Sequence, residues 1–429
     1  MMNIAVAQSG GPTCAINSSL VGVFKEAIKE PKIDAVFGSI NGIEGIIYNH
    51  LVDLKTLIFT NDDMELLRQT PSTVLGSCRY KLPDYNEDDS VYKKILDTLR
   101  QRQIGAFFYI GGNDSMDTVN KLSEYFRRES ADIKVIGIPK TIDNDLCITD
   151  HTPGFGSAAK YVAATMQEIV RDSSVYSMPS VTVVEVMGRH AGWLTASSAV
   201  LHALGETAPH LVYVPERSFR IDSFMRDVRQ EMAKHKAVVV AVSEGIEIPD
   251  TTMTAQVSHT EKDGEGEHCE GAGVSYRSGV VDNFGHKYLS GIGKYLEETV
   301  RREIGCKVRS IELNVMQRCS SHICSRTDID EAEAVGAAGV RCALNGETGK
   351  VMVFRRVSDM PYTIVIETTN AANIANNEKF LPDEYITLTG NNISDSALKY
   401  FLPLIQGELN IIMDRGIPKH FTIQESVLK

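Results

Sequence analysis

No stretch of the sequence approaches the roughly 18 consecutive apolar residues of a membrane span, and the start, MMNIAVAQSGG, has no basic leader followed by an apolar run. The expected location is therefore the cytoplasm, with no membrane partner. Positive charge is in deficit: 44 Lys and Arg stand against 56 Asp and Glu, a formal charge of -12. That balance excludes general nucleic-acid binding, which needs a broad cationic face. Small anionic substrates remain open, because a few Arg and Lys gathered in one cleft create a local positive field. The eight cysteines are scattered, without the spacing of a disulfide scaffold, so reduced thiols are expected. Cys319 and Cys324 flank His322, and His268 precedes Cys269, but neither spacing completes a metal-ligand set. There is no GxxxxGK[ST] loop, which removes the P-loop kinases, and no short repeat or low-complexity tract.

What is present is ordinary globular composition, 43% hydrophobic and 23% charged, in 429 residues, enough for two domains with substantial cores. Short β-branched or aromatic runs, Ile4 to Ala7, Ala106 to Ile110, Lys134 to Ile138, Val181 to Val186 and Val238 to Val242, alternate with helical patterns. Ile16, Leu20, Phe24 and Ile28 recur at spacing four, and Val119, Leu122 and Phe126 at three and four. This βαβ rhythm predicts an α/β fold with parallel sheets, whose ligands gather at the carboxyl ends of the strands. From Ile246 to about Asp282 the rhythm breaks into a polar, glycine-rich stretch, read as a surface insertion. It resumes with a helix near Leu289 to Ile304, a strand near Lys307 to Val315, a helix near Asp330 to Leu344, and strands around Val351 to Arg355 and Tyr362 to Glu367.

Four motifs carry chemistry. Gln8-Ser9-Gly10-Gly11 joins a strand to a helix, where glycines let a phosphate approach backbone N–H groups; a plain tight turn is the alternative. Tyr109-Ile110-Gly111-Gly112-Asn113-Asp114-Ser115 repeats that context, with Ser115 as a hydrogen-bond donor and Asn113 or Asp114 offering a hard oxygen for Mg²⁺. Asp114 or Ser115 also suits an ordinary N-cap. In Pro139-Lys140-Thr141-Ile142-Asp143-Asn144-Asp145, two carboxylates two residues apart in an extended segment point the same way, one to act as base and the other to orient. Lys140 would hold a phosphate as a point charge. In Glu185-Val186-Met187-Gly188-Arg189-His190, Arg189 suits a phosphate or hydroxyl clamp and Gly188 permits close backbone approach. His190 is read as solvent-facing or supporting, and Trp193 as core packing. Gly154-Phe-Gly156-Ser-Ala-Ala159 fits the GxGxxA dinucleotide fingerprint but follows His-Thr-Pro rather than a strand, so it reads as a helix start.

Taken in order, SGG, GGNDS, PKTIDND, EVMGR and MQR resemble the phosphofructokinase family from about Asn3 to Arg318, and PLIQGE near the C-terminus is similar to its pyrophosphate-using branches. The resemblance implies two Rossmann-like α/β/α domains with mainly parallel sheets, facing across a cleft. Residues 1–154 plus about 319–390 would form a phosphoryl-donor domain. Residues 155–318 plus a C-terminal helix at about 391–429 would form a sugar-phosphate domain carrying the 246–282 insertion. It implies reversible phosphoryl transfer from pyrophosphate to the C1 hydroxyl of fructose 6-phosphate, a glycolytic step, with Mg²⁺ as cofactor and a homo-oligomer, dimer or tetramer, as the assembly.

By the same resemblance Asp143 is the general base, Asp145 orients it, and Thr141 and Ile142 line the site. Met187, Gly188 and Arg189 bind the sugar phosphate, Glu244 a sugar hydroxyl, and Arg309 and Arg318 the 6-phosphate, one of them in a neighbouring subunit's site. Gly11, Arg79, Gly112, Asp114 and Ser115 contact the donor. Asp114 and Lys140 stand where ATP users of the family have glycines, which favours pyrophosphate: the carboxylate obstructs a nucleotide's α-phosphate and the ammonium neutralises the leaving phosphate. Two departures stand out. Asn113 replaces a magnesium-linked aspartate, and Val315 replaces a histidine or aromatic near the sugar phosphate, which admits sedoheptulose 7-phosphate as a second acceptor. An ATP-dependent 6-phosphofructokinase and a non-catalytic sugar-phosphate-binding regulatory subunit are the alternatives.

Overall fold

A computed structural model describes residues 2–248, 277–281, 287–289 and 291–423; most of the expected 246–282 insertion lies outside the described residues. In chain order the strands of the described residues are β1 (Met2–Gln8), β2 (Ile33–Ser39), β3 (Leu51–Asp53), β4 (Ile104–Gly111), β5 (Lys134–Pro139), β6 (Ser180–Val186), β7 (Leu211–Tyr213), β8 (Ala237–Ser243), β9 (Arg277–Val281), β10 (Lys287–Leu289), β11 (Lys307–Glu312), β12 (Lys350–Asp359), β13 (Tyr362–Asn370), β14 (Met413–Asp414) and β15 (Ile417–Pro418). The chain divides into two compact units: Met1–Ala164 with Val315–Phe380 and Asp395–Lys429, and Thr165–Asn314 with Leu381–Ser394.

The first unit is built on a seven-stranded sheet in the order β13-β12-β5-β4-β1-β2-β3. The central strands are parallel, and antiparallel pairing occurs only at its two edges, β12 with β13 and β2 with β3. Both faces are covered, which is why the strands read as unbroken apolar runs. Along β1, Ile4 and Val6 enter one core cluster while Ala5 and Ala7 enter the other, and β4 alternates in the same way with Phe108 and Ile110 against Phe107 and Tyr109. The second unit has a wholly parallel four-stranded sheet, β11-β6-β8-β7. No described helix is long and apolar enough to cross a membrane.

Several expectations shift. The strand expected over Lys307 to Val315 ends at Glu312, because Asn314 adopts a left-handed φ of 44° and opens a 3-10 turn over Asn314–Arg318. The helix expected from Asp330 begins at Arg326, since the Ser325 hydroxyl caps it by accepting from the Asp328 N–H. Ile28, counted on the first helix's apolar face, is its C-cap and is exposed. The C-terminal stretch, placed by sequence in the sugar-phosphate half, groups with the first unit. Its helix Asp395–Leu404 packs there through Phe401, whose ring lies 6.0 Å from that of Phe155, and the Leu404 carbonyl accepts from the Ser325 hydroxyl.

The helix that follows the Gly10-Gly11 turn, Ile16–Ala27, crosses helix Arg326–Leu344 at a glycine contact. A Cβ added to Gly22 would stand 2.0 Å from the Glu333 carbonyl oxygen, and one on Gly336 would stand 2.1 Å from that of Ser19. Backbone meets backbone there, so no side chain can yield. Gly336→Ala should therefore lower stability by about 1–3 kcal/mol despite alanine's better helix propensity. Urea unfolding measures this; an unchanged or higher midpoint would contradict the contact.

Candidate active site

Three loops leave the carboxyl ends of the adjacent parallel strands β1, β4 and β5, the edge where open α/β sheets bind ligands. They carry the Gly10-Gly11 turn, the Gly112 to Ser115 turn and the Lys140 to Asp145 loop. The Lys140 N–H donates to the Gly111 carbonyl at 2.9 Å, which fastens the third loop to the second. The Lys140 side chain is only 2% exposed, and its Nζ donates to the Gly11 carbonyl at 2.7 Å. A Cβ on Gly10 would lie 3.3 Å from that Nζ, and Gly10 has a φ of 75°, so glycine serves both the turn and the close approach.

Two arginines share this neighbourhood. A Cβ on Gly11 would stand 3.3 Å from Nη1 of Arg318. Burial pushes the Lys140 ammonium down to about 8; the Asp143 and Asp145 carboxylates oppose that fall, while the charges of Arg318 and Arg79 add to it. The result is a cluster of cations roofed by glycine backbone, which is what a multiply charged phosphate donor requires. Arg318, expected at the sugar's 6-phosphate, lies beside Gly11 within this unit, because the turn that ends in Arg318 runs past the start of the first helix, where the Cys14 thiol meets the Arg318 carbonyl at 3.6 Å.

Asp143 and Asp145 are brought together by a different route from the one expected. The segment is not extended: Asn144 has a left-handed φ of 55°, so a turn, not strand alternation, sets the two carboxylates near one another. The Thr141 hydroxyl accepts from the Asp143 N–H at 3.1 Å and shapes the approach, and the Ile142 side chain is buried beneath it. Burial pushes the Asp145 carboxyl well up from its ordinary range. The Asp143 charge pushes the same way, Glu378 adds to it, and Lys379 opposes. A pair in which one acid is held near neutrality leaves the other to act as the base.

Helix Asn113–Arg128 begins with Gly112 at its N-cap and no side-chain capping bond, so neither Asp114 nor Ser115 is the cap. Its first-turn N–H groups face the strand end that binds anions in such folds. Ser115 is buried with its Oγ only 2.0 Å from where a Cβ on Gly111 would lie. Asn113, expected to offer an oxygen to Mg²⁺, contacts backbone through both ends of its amide. Its Nδ2 donates to the Asn377 carbonyl at 2.6 Å and its Oδ1 accepts from the Asn376 N–H at 2.6 Å, so the amide is engaged at both ends by backbone. Among the described residues no three His, Cys, Asp or Glu side chains converge on a common point. Asp114 stands in the helix's first turn.

In the second unit Met187, Gly188 and Arg189 leave the end of β6 and Glu244 the end of the adjacent β8. The Glu244 N–H donates to the Val186 carbonyl at 2.9 Å, the Gly188 N–H reaches the Glu244 carboxylate at 3.4 Å, and the Ser243 hydroxyl donates to the Gly188 carbonyl at 2.6 Å. Gly188 has a φ of 139°, and a Cβ there would strike the Ala191 carbonyl at 2.7 Å. Arg189 Nε is buried with no hydrogen-bond partner among the described residues. Arg309 does not join this group. The parallel register sets it opposite Thr182, and it pairs with Asp172 at 2.9 Å. At about 3.3 Å per residue, that is roughly 20 Å back along the strand from Gly188.

The decoy fingerprint resolves as a helix start, Phe155–Ser173, whose N-terminus is occupied by the chain's own Asp328: its carboxylate accepts from the Gly154 and Ser157 N–H groups at 2.8 and 3.0 Å. Trp193 is buried against Tyr385, and His190 is exposed. Sequence reasoning missed the Asn376 to Lys379 segment and Tyr400, which brace the Lys140 to Asp145 loop. A lysine in an Asn-rich loop carries no signal that distinguishes it from a solvated one.

A profile described as phosphofructokinase matches residues 3–342 of this sequence. The chain belongs to the phosphofructokinase family. It is 38% identical over 98% of its length to a pyrophosphate–fructose 6-phosphate 1-phosphotransferase of Xanthomonas campestris, covering 96% of that protein. It is 36% identical over 97% of its length to one of Halomonas elongata, covering 95% of it. Its fold is similar to the solved structure of a pyrophosphate-dependent phosphofructokinase from Marinobacter aquaeolei, with a TM-score of 0.83 at 34% identity, over 98% of this chain and 96% of that one. Of the motifs that carry the resemblance, SGG, GGNDS, PKTIDND and EVMGR lie at the carboxyl ends of β1, β4, β5 and β6, and MQR lies in the 3-10 turn Asn314–Arg318.

Burial has the same effect on two lysines, Lys140 and Lys379, each pushed down to about 8. In the ligand-free protein both are cations at neutral pH and lose their protons as pH rises through 8, more than two units before an ordinary lysine. NMR titration of lysine side chains should show two such groups, one of which disappears in Lys140→Met. No lysine titrating below 10 would contradict the buried placement.

Proposed function

We propose that this phosphofructokinase-family chain transfers a phosphoryl group reversibly from pyrophosphate to the C1 hydroxyl of fructose 6-phosphate, giving fructose 1,6-bisphosphate and phosphate. The observation that carries this reading is the buried Lys140 ammonium on the Gly11 carbonyl, within the fields of Asp143, Asp145, Arg318 and Arg79. The relatives' activity supports it, since they match nearly the full chain at 36% and 38% identity.

In the forward direction the C1 oxygen bonds to the near phosphorus of pyrophosphate, the bond from that phosphorus to the bridging oxygen breaks, and the hydroxyl proton passes to Asp143. The raised Asp145 keeps a second full negative charge away from that base and holds it in place. Lys140, Arg79 and Arg318 neutralise the charge that builds on the transferring and leaving groups, and the Gly11, Gly112 and Ser115 backbone lets the donor approach. Mg²⁺, held by Asp114 and the donor oxygens, would supply further charge neutralisation. Asp114 also sets a carboxylate where the longer polyphosphate of a nucleotide would run, which favours the shorter donor.

Thr141 and Ile142 line the acceptor side. Met187, Gly188, Arg189 and Glu244 bind the sugar phosphate; the observation behind that assignment is the buried Arg189 Nε, which has no hydrogen-bond partner among the described residues. On this reading the first unit holds the donor and the second the sugar. Arg309, far back along its strand, serves a neighbouring subunit of a cytoplasmic homo-oligomer.

Purified protein with Mg²⁺ and fructose 6-phosphate should form the bisphosphate with pyrophosphate and not with ATP, and Asp114→Gly should admit ATP. Faster turnover with ATP by the parent protein would overturn the donor assignment. Asp143→Ser should lower kcat by about 10²–10⁴-fold, the range set by loss of a positioned base. Near-normal turnover in that variant would remove Asp143 from the mechanism.

A further inference from the structure

The segment from Asn376 to Lys379 touches two of the three loops of the site. At its first end it is gripped by the Asn113 amide, which donates to the Asn377 carbonyl and accepts from the Asn376 N–H, both at 2.6 Å. At its other end Glu378 makes an antiparallel bridge with Leu146, and the Lys379 N–H donates to the Asp145 carbonyl at 2.7 Å. The Lys379 ammonium is enclosed by oxygens: the Asp150 carbonyl at 2.8 Å, the Thr149 carbonyl at 3.1 Å and the Asn144 Oδ1 at 3.3 Å. Asn144 is the left-handed residue between the two carboxylates, and its Nδ2 donates to the Tyr400 hydroxyl at 2.8 Å.

We propose that Asn376 to Lys379 form a strap that fixes the donor turn to the catalytic loop, with Asn113 and Lys379 as the positioning residues at its two ends. The proposal rests on the reading of these loops as donor and catalytic elements. It gives Asn113 a reason of its own. Only an amide can both donate and accept here; an aspartate would set a carboxylate oxygen against the Asn377 carbonyl oxygen at hydrogen-bond distance. At the far end, three acceptors match the three N–H groups of one ammonium, so removing it unpairs the Thr149 carbonyl and takes one of two partners from the Asp150 carbonyl and from the Asn144 amide, the other being the Tyr400 hydroxyl. A disturbance at either end therefore reaches the same object.

The test uses the full chain as wild type, Asn113→Asp, Lys379→Met and the double variant, with steady-state kinetics and hydrogen exchange of residues 141–149 without ligand. Each single variant should lose about ten-fold or more in kcat while both KM values stay within about three-fold, the pattern of lost alignment and not of lost binding. The double variant should be no worse than the poorer single, because one strap cannot be released twice. Asn113→Asp should speed exchange across 141–149, although it lies at the other end of the strap.

Activity that is kept or raised in Asn113→Asp, as a metal-ligand role predicts, would overturn the proposal, as would losses that multiply or exchange that is unchanged. If Lys379→Met fails to fold, Lys379→Gln, which keeps a donor, takes its place under the same criteria. Should the wild type show no turnover with pyrophosphate, the functional reading fails, and the exchange measurement still decides whether the strap couples the two loops.

Discussion

The site depends on keeping one ammonium out of water. An isolated buried charge is costly enough that it ordinarily gives up its charge, and Lys140 keeps its own near neutral pH only because the structure surrounds it with compensation. The Gly11 carbonyl accepts from it, and Asp143 and Asp145 lie in its field. Each requirement reaches back into the fold. The carbonyl is within reach because Gly10 turns left-handed, the turn is at the right height because β1 pairs in parallel with β4, and Lys140 is fastened to the β4 loop by its own N–H. A buried cation that is only partly neutralised retains attraction for an added anion, and low local dielectric strengthens it.

The paired carboxylates face the converse problem. Burial and mutual repulsion keep them from both ionising freely, and that conflict is what separates an acid held neutral from a base. The division is set by position. Asp145 is joined through its carbonyl to the Lys379 N–H and lies within the fields of Glu378 and Lys379, while Asp143 follows the Thr141 hydroxyl that shapes its backbone. Backbone strain at Asn144 is tolerated because its amide is held on both sides, by Tyr400 and Lys379.

Much of this was legible in the sequence because the signals are local. Strands buried on both faces read as apolar runs, and glycine pairs after them mark turns where backbone is exposed to ligand; Ile4 to Ala7 and Gly10-Gly11 are one such unit. The motif residues Lys140, Asp143 and Asp145 lie in one loop, so their proximity needed no tertiary knowledge, though the expected extended geometry gave way to the Asn144 turn. What could not be read depends on distant pairings. Arg309 lies back along its strand from Gly188 because strand register, invisible in one sequence, sets it against Thr182. Arg318 reaches Gly11 across some 300 positions of chain, as the contact between Cys14 and its carbonyl shows. The backbone of Asn376 and Asn377 beside the Asn113 amide is likewise absent from any local pattern. The C-terminal helix carries no mark of the unit it joins; Phe155 and Ser325 decide that.

The central claim is that the buried cation cluster is built for a bare diphosphate. Calorimetric titration of the protein with a non-hydrolysable diphosphonate and with a non-hydrolysable ATP analogue, each with Mg²⁺, tests it most directly. The account predicts that the diphosphonate binds the wild type and loses about 30-fold or more in affinity in Lys140→Met, the loss expected when a buried charge contact is removed, while the ATP analogue binds weakly to both. Tighter binding of the ATP analogue, or diphosphonate binding indifferent to Lys140, would contradict it.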